Sequence, residues 1–365
     1  MFKNGLICVM ASCKKILFID KNPYGILIDT YKYCQYLQMY FDITYVCIDY
    51  GYPKVKSENV TVKYVPFTNY KLLRGILFTL LALYNAIMIK GFIFVSYYPG
   101  CGILKKIAFW KKMHVDIRTL SVSPDNKERE RWDFELNRTI CKFDSVSLIS
   151  EGVKDKLSIP NNKNVFVIPL GADIISNTSK DFAKLNLLYI GTLNNRRILD
   201  TVVGFHSFIN KHPNISAHYI IIGDGEEFSS LKQYISDFHL ESRIELKGRI
   251  PYNELKPYFD NCNIGVSYVP ITDYYQYQPP TKTFEYVMSG LYCIATNTYE
   301  NKKIIKNNNG CLHDDNPAAF CEALEYTLSQ TKKLKSGDIR SSLVGHTWKE
   351  IVDSCLIPVV SQSYN

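Results

Sequence analysis

Short apolar runs of strand length alternate along this chain with stretches whose apolar positions recur at helical spacing. Residues 15–19 (KILFI) form the first such run, and residues 25–39 follow with helical periodicity. Further strand-like runs lie at 43–48, 60–65, 92–97, 115–118, 146–149 and 165–168, most of them separated by helical patterns. The second half repeats the scheme, with strands at 187–190, 219–222, 244–246, 264–269 and 292–295. Its predicted helices span 198–210, about 228–238, 255–259, 281–289 and 317–329; Phe228, Leu231, Ile235 and Phe238 share one stripe. Asn316 and Pro317 supply a capping side chain and a first-turn proline where the last of these should begin. Continuous apolar strands alternating with helices predict parallel sheets covered on both faces. The expected fold class is therefore α/β, with two Rossmann-like domains and an interdomain cleft. Residues 171–184 are polar and aperiodic and read as a hinge between domains at 1–172 and 184–340. A helical tail at 345–365 is expected to pack back on the first domain. Ligands of such sheets bind outside the carboxyl ends of the strands, so the loops that follow the strands are where chemistry is expected.

Composition narrows the classes. A 365-residue chain with 46% hydrophobic and 21% charged residues is neither disordered nor collagen-like and is long enough for two cores. The net charge of +8 points to anionic partners, yet no run of five basic residues and no nucleic-acid motif occurs, so nucleic acid is not expected. Eleven cysteines are scattered with no Cys-x-x-Cys pair, which fits reduced thiols in a cytoplasmic protein and no zinc site. Residues 1–13 read as a loose leader, or as an early start ahead of Met10.

The densest chemistry lies at residues 270–296. A polar aromatic loop holding Asp273, Tyr277 and Gln278 leads into Pro279-Pro280-Thr281-Lys282-Thr283-Phe284-Glu285, which opens a helix. Free N–H groups at a helix start attract anions. Lys282 is unfavourable there for an empty helix, and a bound phosphate would remove the conflict. A Lys282–Glu285 pair at i, i+3 is the plain structural alternative. Gly191 to Arg197 (GTLNNRR) sets Arg196 and Arg197 at another strand-to-helix turn, suited to bidentate phosphate contacts. Gly223-Asp224-Gly225 forms a third such turn, without the third glycine of a dinucleotide fingerprint.

Together these segments resemble the donor domain of retaining family-four glycosyltransferases of the GT-B fold, over residues 185–330 and more loosely over the first half. The resemblance implies that Gly191, Thr192, Arg196 and Arg197 hold a donor pyrophosphate, with Arg197 at the usual lysine position. It implies that Gly248, Arg249 and Ile250 face the nucleotide base, and that Pro280, Thr281 and Lys282 open the phosphate-binding helix. Glu285 matches the glutamate expected on the ribose. Tyr277 stands where many members carry a second glutamate near the donor sugar, which leaves sugar contacts to Asp273, Gln276 or backbone groups. In the first half, Gly25 matches a loop facing donor and acceptor. Arg118 falls nearest the reaction centre, where it either stabilises the departing phosphate or pairs structurally with Asp125 or Glu128. Arg118, Arg197 and Glu285 are thus the expected catalytic residues.

The expected reaction is sugar transfer from a nucleotide-diphosphate sugar to a hydroxyl of a glycan or lipid-linked acceptor. No cofactor and no metal is expected, since no Asp-x-Asp motif occurs. A sugar-nucleotide epimerase of related fold and a catalytically degenerate donor-binding partner share the same phosphate logic. Residues 72–89 are apolar but interrupted by Arg74, Thr79 and Asn85, and read as a buried core helix. Residues 104–112 interleave lysine pairs with Phe109 and Trp110, a composition suited to peripheral contact with an anionic membrane.

Overall fold

A computed structural model of the chain describes residues 15–362, so the leader expected at 1–13 lies outside the described residues. Two compact units emerge, one of residues 1–171 together with 348–365, the other of 172–347.

The first unit is built on seven parallel strands: β1 (Lys15–Ile19), β2 (Asp42–Ile48), β3 (Val60–Val65), β4 (Phe92–Ser96), β5 (His114–Ile117), β6 (Ser145–Leu148) and β7 (Asn164–Val167). Their order is β3-β2-β1-β4-β5-β6-β7. Ile16, Leu17, Phe18 and Ile19 are all buried, because a central parallel strand is covered on both faces. The second unit holds β8 (Leu185–Ile190), β9 (Ala217–Ile222), β10 (Ile244–Lys247), β11 (Ile264–Ser267), β12 (Tyr292–Thr296) and β13 (Gly310–His313), in the order β10-β9-β8-β11-β12-β13. The strand order reverses between β8 and β11. The loops after those two strands therefore diverge to opposite faces and leave a crevice at their carboxyl ends.

Helices cover these sheets: α1 (Ile28–Leu37), α2 (Lys71–Met88), α3 (Gly102–Ile107), α4 (Asn126–Ile140) and α5 (Glu151–Lys156) in the first unit. The second has α6 (Ile198–Lys211), α7 (Phe228–Asp237), α8 (Lys256–Asn261), α9 (Thr281–Met288), α10 (Tyr299–Ile304) and α11 (Pro317–Gln330). Asn316 does cap α11, its side chain accepting from Ala319 N at 2.9 Å. α9 can lie directly on β11 because residue 265 is glycine; a Cβ there would stand 2.3 Å from the Tyr286 ring.

Four sequence expectations change. The helix expected from residue 25 starts at Ile28, after a turn in which Gly25 takes φ +92°. β13 and α10 carry no periodicity of their own, and β13 exists by pairing with β12. Most of the expected hinge belongs to the second unit. Ile175 N and Ser176 N donate to Ser289 Oγ at 3.1 and 3.3 Å, and Lys180 N donates to Ser336 Oγ at 3.2 Å. Finally, α2 is not a buried core helix. Phe78, Ala82 and Ala86 face the sheet, whereas Leu80 is 58% and Tyr84 60% exposed. The apolar residues continue around the helix onto a side that no described residue of this unit covers.

Candidate functional site

In the second unit the loops after β8 and β9 are knitted into one rim. Leu193 N donates to Asp224 O at 2.9 Å, Glu227 N to Leu193 O at 3.0 Å and Glu226 N to Asn194 Oδ1 at 2.7 Å. The approach is so close that a Cβ on Gly223 would lie 1.9 Å from Gly191 O, which requires glycine at 223. The start of α6 is already occupied by an anion of the protein itself. Glu227 Oε1 accepts from Arg196 N at 2.7 Å and Arg197 N at 2.9 Å, and its Oε2 accepts from Ile198 N at 2.7 Å. Glu227 thus satisfies donors that a helix terminus otherwise leaves unpaired. Sequence reading missed it, since the residue lies about thirty positions away, though the carboxylate just after Gly-Asp-Gly was a usable signal. Glu227→Ala is expected to destabilise the unit by about 1–3 kcal/mol, from three amides left without an acceptor. A urea titration showing an unchanged midpoint would refute this capping role.

α9 is different: its N-terminus, at Pro280 and Thr281, has no side-chain cap. Lys282 extends from this first turn back towards Gly191, where a Cβ would meet the Lys282 ammonium at 3.0 Å. The ammonium sits 3.9 Å from the Tyr189 ring centroid, and the Arg196 guanidinium lies 4.2 Å from that of Tyr275. Among the described residues no carboxylate is within salt-bridge distance of either cation, and Arg196 Nη1 is buried with no hydrogen-bond partner. Burial pushes the Lys282 pKa well below its ordinary value, and the Arg196 charge pushes it down further. Aromatic faces attract cations by about 0.5–2 kcal/mol without neutralising them. Two positive charges therefore converge beside an uncapped helix start, an arrangement complementary to a diphosphate.

One turn further along α9, Glu285 is only 9% exposed. Tyr252 Oη lies 3.0 Å from Glu285 Oε1 and 3.2 Å from Asp173 Oδ2, so its single proton is directed at two carboxylates. The alternative Lys282–Glu285 pair does not form, because Lys282 turns to Tyr189. Tyr252 was not singled out from sequence; it follows the loop Gly248-Arg249-Ile250, which opens at the end of β10. Nothing lies within 4 Å of the position of a Cβ on Gly248, and Arg249 is exposed. Thr192 is likewise exposed on the rim, with its carbonyl accepting from Tyr189 Oη at 2.9 Å.

Two candidates point elsewhere. Arg197, in left-handed geometry at φ 54°, pairs with Asp200 at 2.6 Å and Asp315 at 3.0 Å. Tyr277 packs against Tyr299, the rings tilted by 48° with centroids 5.0 Å apart. In the first unit, Arg118 is largely buried and donates from Nε to Asp29 Oδ2 at 2.7 Å and from Nη1 to Ile168 O at 2.6 Å. Its acidic partners are thus Asp29 on α1 and, at 3.8 Å, the buried Asp116 on β5, in place of Asp125 or Glu128. Asp125 instead caps α4, and Glu128 accepts from Ser123 Oγ at 2.5 Å. Gly25 lies against Val55, whose Cγ2 is 2.7 Å from where a Cβ would be. Asp20, directly after β1, is a buried acid that sequence reading passed over; burial raises its pKa.

Residues 184–330 match the family model described as Glycosyl transferases group 1. No curated protein matches the sequence. Among solved structures the chain is similar to sucrose-phosphate synthase from Thermosynechococcus elongatus, with a TM-score of 0.76 at 15% identity over 96% of this chain and 99% of that one. A glycosyltransferase from Rickettsia africae gives 0.72 at 13% identity, covering 97% and 99%. Anabaena HepE in complex with UDP and glucose gives 0.68 at 12% identity, covering 96% and 98%. The two Rossmann-like units are those of the GT-B fold. The match to glycosyl transferases group 1 lies within the second unit, and this match supports a glycosyltransferase.

Proposed function

We propose that this protein transfers a sugar from a nucleotide-diphosphate sugar to a hydroxyl of a glycan or lipid-linked acceptor in the building of cell-surface polysaccharide. The observation that carries the reading is the pair of uncompensated cations, Arg196 and Lys282, beside the uncapped start of α9. Departure of a nucleoside diphosphate leaves negative charge on its phosphates, and fixed cations aimed at that charge lower the barrier. Arg196 and Lys282 supply that charge themselves, so the reaction is metal-independent in this proposal. Glu285 accepts from the ribose hydroxyls, while Gly248, Arg249 and Ile250 line the base. Thr192 and Gly191 complete the pyrophosphate cradle. Arg197 acts one step back, holding the rim through Asp200 and Asp315, and Arg118 orders the loop after β5 through Asp29. Retention of the anomeric configuration is carried by the family resemblance, and with tyrosine in place of a carboxylate at position 277 the route proposed is front-face. The reaction runs in the cytoplasm, at the inner face of its membrane when the acceptor is lipid-linked.

The test is a thermal-shift screen across nucleotide sugars, followed by NMR of the product with EDTA present and absent. A donor bound only by the native state raises Tm, by about 2.7 kcal/mol of stability at a hundredfold excess over Kd. Transfer with a retained anomer and no loss in EDTA is expected. A new sugar isomer formed from donor alone would replace the reading with an epimerase, and binding without turnover on any acceptor would replace it with a donor-binding partner.

A further inference from the structure

The exposed face of α2 and the segment after it has a composition that the donor chemistry does not use. Leu73, Ile76, Leu77, Leu80, Tyr84 and Ile87 are all exposed and follow i, i+3, i+4, i+7, i+11 and i+14, which places them on one stripe. α2 is long and apolar enough to cross a membrane, and only 28% of it is buried. Its opposite side, however, is packed on the sheet through Phe78, Ala82 and Ala86, and Asn85 on that side accepts from Lys63 Nζ at 2.7 Å. A helix fastened to a sheet from Phe78 to Ala86 lies on a surface and does not cross it.

α3 packs beside α2, and the chain after it returns to the end of α2, where Lys111 Nζ donates to Ile89 O at 2.8 Å. Phe109 and Trp110 project from this turn, 72% and 57% exposed, and meet edge to face with centroids 5.2 Å apart. Lys106 and Lys112 flank them in solvent. A cleft of about 500 Å³ opens beside them at the amino ends of the strands, lined by Lys90, Lys111 and Lys112.

Charge identifies the occupant. Residues 59–115 contain eight lysines or arginines and no acidic residue, so the 35 basic residues elsewhere equal the chain's 35 acidic ones. A net charge of +8 therefore falls in the segment that includes this face, with Lys63 turned to Asn85 on the sheet side and Lys105 paired with Asp144. A second copy docking by the same patch would bring like charges together. We propose that the α2–α3 face is a docking surface for an anionic lipid bilayer. The leucine stripe, Phe109 and Trp110 enter the acyl boundary, and Lys90, Lys106, Lys111 and Lys112 meet headgroup phosphates. Docking of this kind deepens the location proposed above and stands apart from the donor chemistry, because it is read without any substrate.

The experiment is sedimentation of the full chain with vesicles of phosphatidylcholine alone or mixed with phosphatidylglycerol, with tryptophan emission recorded alongside. Binding is expected to the mixed vesicles, with a blue shift that Trp110→Ala removes. Lys106→Glu with Lys112→Glu is expected to weaken binding at least 20-fold, at roughly fivefold per lysine charge lost near an anionic surface. Leu77→Glu with Leu80→Glu should abolish it while leaving Tm unchanged, since both side chains are exposed. Equal binding to both vesicle types, no binding to either, or a concentration-dependent dimer dissolved by Leu77→Glu would overturn the proposal.

Discussion

Lys282→Met is expected to lower kcat/KM by roughly 10²–10³-fold, the range seen when one preorganised charge-stabilising donor is removed. The same substitution should not lower stability. In the unliganded protein Lys282 is a poorly hydrated cation near a second one, with only the Tyr189 ring as company, so removing it relieves repulsion. Methionine keeps the length and apolar stem of the side chain. A variant that is as stable as the parent or more so, yet nearly inactive, separates a binding role from a structural one. Wild-type turnover would sink the assignment.

The direction of the Lys282 shift fixes a pH signature as well. Burial, then Arg196, lowers its folded pKa below the unfolded value. Between the two, the unfolded chain holds more protons than the folded one, so this residue makes stability rise with pH through that window. Lys282→Met should remove that part of the rise in a series of urea midpoints. Donor binding has the opposite sign. A diphosphate favours the ammonium and raises the Lys282 pKa, so in the pH range above the depressed value binding takes up a proton and weakens as pH rises. Calorimetry in buffers of different ionisation enthalpy would measure the uptake, and Lys282→Met should abolish it.

Glu285→Ala carries the second large effect, a loss of roughly 10²-fold or more in kcat/KM, because hydrogen bonds to a charged acceptor contribute about 1.5–3 kcal/mol each and the ribose offers two hydroxyls. Three variants rank the roles. Glu285→Gln keeps an acceptor for Tyr252 and should fall between alanine and wild type. Tyr252→Phe removes the hydrogen bonds to Glu285 and Asp173 of the unliganded state and leaves the Glu285 carboxylate, and a change of a few-fold is expected. A Tyr252→Phe defect as deep as that of Glu285→Ala would show that the tyrosine, not the carboxylate, meets the donor.

Much of the architecture was legible because a parallel strand covered on both faces must be apolar throughout, and such runs at 15–19, 187–190 and 264–269 stand out in a single sequence. β13 was not legible; Gly310–His313 becomes a strand only through its partner β12. In the site, Lys282 announced itself by a local contradiction, a cation at the start of a helix. Which of two adjacent arginines accompanies it was not decided locally. Arg196 lies over Tyr275, near enough for its charge to depress the Lys282 pKa, and Arg197 turns to Asp200 and Asp315; Asn195 and Arg197 both adopt positive φ in this turn.

By itself, then, the sequence determined the alternation of strands and helices, the two-part organisation, the anion-seeking helix start at Pro280 and the basic, aromatic character of residues 104–112. Only the tertiary structure decided that Glu227 already occupies the start of α6, that Tyr252 engages Glu285 and that the leucines of α2 face outward. The physical reason is common to all three. Hydrophobic period reports which side of an element is apolar, but a helix apolar on both sides gives no direction, and the partner of a charged group is chosen by proximity in space.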